Sequence, residues 1–290
     1  MPDGRPVVQL HTIEQWFTLD QPVRVEILRG LKLKDRLGRF LLQQNERRSH
    51  GIDQPTWIRC KLCHDSPYPG YLLVEPRYDG IHPSSIAHEC LYKIYLDMTG
   101  APSLEHHEPR DILTFNIGTA VHELFQDYGR RGAWGPKYTK EAEISGEYQA
   151  LAEQLMLEGH ADADNILTID DIPGAPIFEV GIVHEYKTMK TELFSKLTRP
   201  KPEHKQQAMI YAAALNRPVV VYLYINKNDS NLADFPVEFD PGVWAMMQSK
   251  AAMLKGHYEQ KEPPQATVGY QCKDCKYKDN CAPAKAQSRR

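Results

Sequence analysis

Gly159-His160-Ala161-Asp162-Ala163-Asp164-Asn165-Ile166-Leu167 and Ile182-Val183-His184-Glu185-Tyr186-Lys187-Thr188 are the stretches on which the fold turns. Between them lies the turn-rich Asp170-Asp171-Ile172-Pro173-Gly174-Ala175-Pro176, which predicts that the two apolar runs pair as a hairpin. Strand side chains alternate faces, so Glu185 and Lys187 point the same way, roughly 7 Å apart, with Tyr186 opposite. The hairpin then brings Asp162 beside them. Two carboxylates and an amine on one sheet face suit divalent-metal phosphodiester chemistry. The carboxylates hold Mg²⁺ or Mn²⁺, the cation acidifies a water, and the lysine positions that water or offsets developing charge. An exposed edge strand shows the same pattern, so the other motifs have to decide.

Downstream, Glu203 to Leu215 reads as a helix that stops at Asn216-Arg217-Pro218, and Pro218 to Ile225 reads as a buried strand. A further helix runs from about Trp244 to Tyr258. Upstream, a Ser cap at Ser84-Ser85 opens a helix that carries Cys90 and reaches Tyr95. Another helix spans Ile117 to Phe125 and carries His122. Taken singly, Cys90 reads as a small buried hydrophobe and His122 as a structural histidine. Strands alternating with long helices imply an α/β core.

The region before about Pro83 reads as a separate, β-rich appendage spanning 1–80. Val23-Arg24-Val25-Glu26-Ile27 alternates like a half-buried strand, and Leu31-Lys32-Leu33-Lys34 repeats the pattern. Lys32, Lys34, Arg36, Arg39, Arg47 and Arg48 concentrate positive charge there, as a solvated face or as phosphate contacts. Cys60-Lys61-Leu62-Cys63 reads equally as half a zinc knuckle, completed by His50, His64 or His82, or as two structural thiols.

Composition sets the frame. The 290 residues can bury a full core, and 41% hydrophobic with 25% charged residues is ordinary for a soluble globular chain. The net charge of −3 excludes a strongly basic nucleic-acid binder, so any such binding rests on local patches. The opening Met1-Pro2-Asp3-Gly4-Arg5 has no apolar leader and no run reaches membrane-spanning length, which reads as a cytoplasmic protein without a membrane partner. In that reducing setting six cysteines favour metal binding over disulfides. Three of them lie within ten residues, Cys272-Lys273-Asp274-Cys275-Lys276-Tyr277-Lys278-Asp279-Asn280-Cys281, after the Pro263-Pro264 linker. Three thiolates need a fourth ligand from elsewhere, and Cys₄ zinc and a [4Fe–4S] cluster both fit. Residues 282–290 read as a flexible tail.

Together these motifs resemble the PD-(D/E)XK nuclease superfamily, and within it the RecB-type iron–sulfur exonucleases, which include CRISPR-associated exonucleases and the AddB nuclease domain. The matching residues, in the family's order, are Ser84-Ser85 leading to Cys90, then Gly118 to His122, Gly159 to Asp162, Glu185-Tyr186-Lys187, Gln207 to Tyr211, and Cys272, Cys275 and Cys281. The resemblance covers roughly Ile81 to Cys281. Asp164 competes with Asp162, although the Gly-x-x-Asp spacing favours Asp162, and Cys60/Cys63 match no family motif.

The resemblance implies a restriction-endonuclease-like core over 81–281, a central mixed sheet flanked by helices, closed by a C-terminal cysteine-rich cluster segment. It also implies that His122, Asp162, Glu185 and the Tyr186 carbonyl hold Mn²⁺ or Mg²⁺, with the imidazole favouring Mn²⁺. Lys187 then orients the attacking water, and Gln207 and Tyr211 support the site or touch the strand. Cys90, Cys272, Cys275 and Cys281 hold a structural [4Fe–4S] cluster. The implied activity is metal-dependent exonucleolytic cleavage of DNA, with single strands as the preferred substrate, in recombination, repair or phage DNA processing, with a helicase or recombination protein as partner. Two other classes are a catalytically dead iron–sulfur or zinc DNA-binding scaffold, and an iron–sulfur redox protein. A Mn²⁺-dependent assay on labelled single-stranded DNA separates them.

Overall fold

In a computed structural model of the protein, the structure describes residues 5–49, 80–87, 90–101, 109–143, 154–157, 159–269, 272–273, 275–278 and 281. In chain order the elements are β1 (Val7–Leu10), α1 (Ile13–Phe17), α2 (Gln21–Gly30), α3 (Leu33–Ser49), α4 (Pro83–Ile86), α5 (Leu91–Met98) and α6 (Pro109–Arg130). There follow β2 (Thr139–Glu143), β3 (His160–Ile169), β4 (Ile177–Met189), α7 (Thr191–Phe194), α8 (Pro202–Ala214), β5 (Val219–Asn226), β6 (Leu232–Glu238) and α9 (Pro241–Gln260).

The hairpin expected across Asp170–Pro176 forms. β3 and β4 run antiparallel, from Ala163 opposite His184 to Ile169 opposite Phe178. β4 is the longest strand and the spine of a mixed sheet ordered β2-β3-β4-β5-β6. Its other edge is shared in sequence by two parallel partners: β1 along Ile177–Val180 and β5 along Ile182–Met189. Gly181 stands at the changeover. A Cβ there would lie 2.5 Å from the His11 carbonyl oxygen, a backbone atom with no room to yield. The β4-to-β5 connection is a crossover through α7 and α8, as parallel neighbours require.

Alternation sorts the strand residues between two cores. Phe178, Val180, Ile182 and Tyr186 of β4, with Val219, Val221 and Leu223 of β5, pack against α1, α2, α3 and α6. Val183 and Met189, with Val220, Tyr222 and Tyr224, pack against α8. A third cluster joins α4, α5 and α9 to Ile210 on α8. The protein is therefore a central mixed sheet with helices on both faces. No described helix is long and apolar enough to cross a membrane.

The N-terminal region departs from expectation. Val23–Ile27 and Leu31–Lys34 are helical, not strands, and residues 5–49 are built into the core rather than appended to it. Pro22 opens α2, and its buried or half-buried Arg24, Ile27, Leu28 and Leu31 fall at helical spacing, as do Leu33, Leu37 and Phe40 on α3. Val23, Val25 and Ile27 fit a two-residue period, yet of the three only Ile27 is buried, so local alternation misleads. What decides is burial: Trp16, Ile27, Leu33 and Leu37 are almost wholly removed from water. Each contributes about 1.5–3 kcal/mol, far more than strand propensity could offset. Of the basic residues, Lys32 faces Asp171 at 3.7 Å and Arg36 donates to the Thr168 carbonyl at 2.6 Å, tying the helices to the hairpin.

The helix expected from Ser84 to Tyr95 is also divided. Pro83 starts the single turn α4 with His82 as its cap, and Cys90 caps the separate α5. The Cys60/Cys63 pair, His50 and His64 lie outside the described residues.

Candidate active site

Three elements deliver the expected side chains to one place. Asp162 stands near the start of β3, Glu185 and Lys187 lie on β4, and His122 comes from the middle of α6. His122 Nδ1 lies 2.8 Å from Asp162 Oδ1, while the Tyr186 backbone N–H donates to Asp162 Oδ2 at 2.8 Å. The strand that carries Glu185 and Lys187 therefore also clamps Asp162 through its backbone. Lys187 forms an ion pair with Glu185.

Burial sets the electrostatics. Glu185 is 1% exposed, and its carboxyl is raised above the usual range because desolvation, reinforced by the Asp162 charge, outweighs the Lys187 ammonium. Asp162 is half-buried, and its carboxyl is held low because His122, Lys187 and the Tyr186 amide together overcome desolvation. Burial alone would lower Lys187 and His122, but the facing carboxylates raise both. Apart from the Lys187 ion pair, neither Glu185 oxygen accepts an aligned hydrogen bond among the described residues, and neither does the hydroxyl of Tyr222, its neighbour on β5.

Asp164 is settled by a partner far away in sequence. Arg217, at the turn into β5, grips it with both arms of the guanidinium, Nε to Oδ1 at 2.6 Å and Nη2 to Oδ2 at 2.8 Å. The same arginine donates to the His11 carbonyl at 3.3 Å. Asp164 is thus engaged by Arg217, and Asp162 is the carboxylate that meets His122 and the Tyr186 amide.

Tyr186 points its ring away from Glu185, into a buried cluster in which its hydroxyl lies 3.2 Å from that of Tyr138 and His184 packs beside it. Gln207 and Tyr211 stand one turn apart on α8, the helix laid over the Glu185 face. Tyr211 is buried there and Gln207 half-buried. Sequence reasoning missed Gln126, one turn after His122, whose side-chain amide donates to the Asp162 carbonyl at 3.1 Å. Its spacing of four from His122 on one helix face was the available signal.

The donor set fits a hard divalent cation: two carboxylates, an imidazole and buried oxygens short of hydrogen-bond donors. A buried carboxylate without donors is costly unless a positive charge faces it, which is what Lys187 supplies here. Among the described residues, Cys90, Cys272, Cys275 and Cys281 included, no three His, Cys, Asp or Glu side chains are gathered so as to hold a metal ion. His122 and Asp162 satisfy each other, as do Lys187 and Glu185.

The terminal cysteines belong to a second locality. Cys272 and Cys275 are half-buried and Cys281 is buried. Between them Tyr277 donates its hydroxyl to Asp97 of α5 at 2.8 Å, and Lys276 reaches the same carboxylate at 2.7 Å. The tail is thus docked on the helix that Cys90 caps.

No family model matches the chain, and no curated protein does. Among solved structures, SSO0001 is 16% identical with a TM-score of 0.42, over 71% of this chain and 87% of that one. The alkaline exonuclease LHK-Exo of Laribacter hongkongensis is 15% identical with a TM-score of 0.44, and its complex with dAMP is 14% identical with a TM-score of 0.45. Both cover 64% of this chain and 90% of theirs. Likenesses at this level say nothing of substrate or chemistry.

Proposed function

We propose that this protein is a metal-dependent DNA exonuclease of the PD-(D/E)XK type that acts on single strands. The observation that carries the reading is the meeting of His122, Asp162, Glu185 and Lys187 at the β3–β4–α6 junction, from positions up to 65 residues apart, around the buried Glu185 carboxylate. A scaffold has no use for such an arrangement, because burying two like charges side by side costs stability.

Asp162, Glu185, His122 and the Tyr186 carbonyl would hold Mn²⁺ or Mg²⁺, and the imidazole favours Mn²⁺. That cation supplies Lewis acidity at the phosphoryl oxygen and a water acidic enough to attack at neutral pH. Lys187 orients the water and offsets the charge that grows on the phosphorane oxygens. The Tyr186 amide fixes Asp162, and Gln126 fixes the backbone beneath it. Gln207 and Tyr211 support the site from α8 or touch the strand.

The cysteine-rich tail is read as supplying three ligands of a [4Fe–4S] site, with Cys90 as the fourth. The docking of Lys276 and Tyr277 on α5 supports this, since it returns the tail to the helix that Cys90 begins. Closing so long a loop through a cluster strongly restrains the unfolded chain. Action beside a helicase or recombination protein, in recombination, repair or phage DNA processing, belongs to the same proposal.

The test is cleavage of end-labelled single-stranded DNA with and without Mn²⁺, paired with thermal melts. Glu185→Gln and Lys187→Ala each lower the turnover by about 10²–10³-fold or more while leaving a folded protein. Mn²⁺ at a hundred times its dissociation constant stabilises the wild type by about 2.7 kcal/mol, and Glu185→Gln loses that gain. Near-normal cleavage by both variants refutes the assignment. Labelling either end also gives the polarity.

A further inference from the structure

The chain is acidic overall, so a nuclease built on it must find the phosphates of its substrate with a local surface. Immediately after Lys187, β4 runs out into the segment 190–201, which holds Lys190, Lys196, Arg199 and Lys201 against one acid, Glu192. Lys190, Lys196 and Arg199 are exposed, and among the described residues none has a carboxylate within ion-pair distance. Lys201 is different, since Glu203 lies 3.9 Å from it. Exposed Lys227 joins the three, because its backbone N–H donates to the Met189 carbonyl at 2.9 Å and sets it beside Lys190.

Unpaired surface lysines are usually just solvated. These are held on a rigid frame. The Lys190 carbonyl accepts from Leu193 and Phe194 at 3.1 and 2.9 Å, closing the turn of α7. Thr191 Oγ1 donates to Asn226 Oδ1 at 3.1 Å, Phe194 and Leu197 pack into the α8 core, and the Lys201 amide donates to the Tyr224 hydroxyl at 3.2 Å. Cations on an ordered backbone lose less entropy when they meet phosphates than cations on a mobile loop. Leu193, 50% exposed within the same segment, offers an apolar surface to unstacked bases.

Position gives the segment its relation to the site. α6 crosses the end of β4 one turn before His122, where a Cβ on Gly118 would lie 4.0 Å from Thr188 Oγ1. Asn116 and Ile117, which precede Gly118 on that helix, are exposed, and the 190–201 segment begins two residues after Thr188. Lys190 lies three residues past Lys187, about 10 Å of extended chain, or about three nucleotide rises of roughly 3.4 Å.

We propose that Lys190, Lys196 and Arg199, with Lys227, form the track that grips the phosphates of a single DNA strand next to the bond being cut. This rests on the nuclease reading of the site. The test is binding of a fluorescent single-stranded 20-mer, followed by anisotropy in EDTA across a salt series, so that no cleavage is needed for the readout. Lys190→Ser/Lys196→Ser/Arg199→Ser lowers the slope of log affinity against log salt by about 0.7 per cation removed, about 2 in all. With Mn²⁺ present its KM rises while kcat holds. Lys34→Ser/Arg39→Ser on α3 is the control and leaves the slope where it was. Each single serine variant, checked for an unchanged melt, shows a slope lower by about 0.7, so a misfolded triple variant does not hide the answer. An unchanged slope in the triple variant, an equal fall in the control, or a wild type that does not bind the strand overturns the track. Absence of Mn²⁺-dependent cleavage by the wild type, with the slopes behaving as stated, refutes the nuclease reading instead.

Discussion

Replacing Asp164 by alanine separates the two neighbouring aspartates by their physics. The substitution strips Arg217 of two charge-assisted hydrogen bonds, at 2.6 and 2.8 Å, in a pair whose side chains are 21% and 19% exposed. Breaking a fully buried pair costs about 3–5 kcal/mol and a surface pair about 0–1. At this burial, with Arg217 keeping its bond to the His11 carbonyl, the loss is about 2–3 kcal/mol. Arg217 also loses the hydrogen bond that raises its own pKa. At about 2–4 °C per kcal/mol for a chain of this order, the melting temperature falls by roughly 4–12 °C. Cleavage at 20 °C, below that melt, stays within a few-fold of wild type. Asp162→Asn does the reverse. It keeps an acceptor for the Tyr186 amide and a partner for His122, so stability changes little, while the lost charge removes about 10²–10³-fold or more in turnover. The assay is melting by circular dichroism beside single-turnover cleavage with Mn²⁺. A folded Asp164→Ala protein that has lost cleavage, beside an active Asp162→Asn, would show that the aspartates have been assigned the wrong way round.

Three further outcomes are expected. His184 is sealed among Trp134, Tyr138 and Tyr186, and burial pushes its pKa down to about 3. The unfolded chain therefore takes up that proton first, from about pH 6.5. The stability due to a neutral His184 is complete above that pH and lost below it at about 1.4 kcal/mol per pH unit. Between pH 6.5 and 5 the wild type should lose about 2 kcal/mol more than His184→Phe in urea titrations, and parallel pH profiles would refute this. At the tail, Asp97→Ala removes the acceptor shared by Tyr277 and Lys276, which costs about 1–2 kcal/mol and exposes the 262–271 linker to limited proteolysis. Anaerobically purified wild type should be brown, with Cys90→Ser and Cys281→Ser bleached and Cys60→Ser and Cys63→Ser not. Loss of iron in Cys60→Ser would show the cysteines to be divided differently.

Much of the site was legible because strand and helix periods are local. Asp170–Pro176 marks the hairpin, alternation places Glu185 and Lys187 on one face, and the apolar runs of α8 and β5 declare themselves. The N-terminal helices were not legible, since Val23, Val25 and Ile27 alternate like a strand, while of the three only Ile27 is buried. Gln126 was passed over because its partner is a backbone carbonyl, which no side-chain motif records.

The sequence by itself determined which chemistry is available: carboxylates, an imidazole and an amine at spacings that strands and helices can gather, and three cysteines within ten residues of a polar tail. Only the tertiary structure decided which of these groups come together. Asp162 and Asp164 are two residues apart and point to the same side of one strand, so nothing local tells them apart. Arg217, 53 residues further on, neutralises one, while the Tyr186 amide and His122 turn the other towards Glu185. The same holds for Glu185, whose raised pKa comes from burial beneath α8 and beside Asp162. Desolvation is a property of everything packed around a group, and a linear chain does not state it.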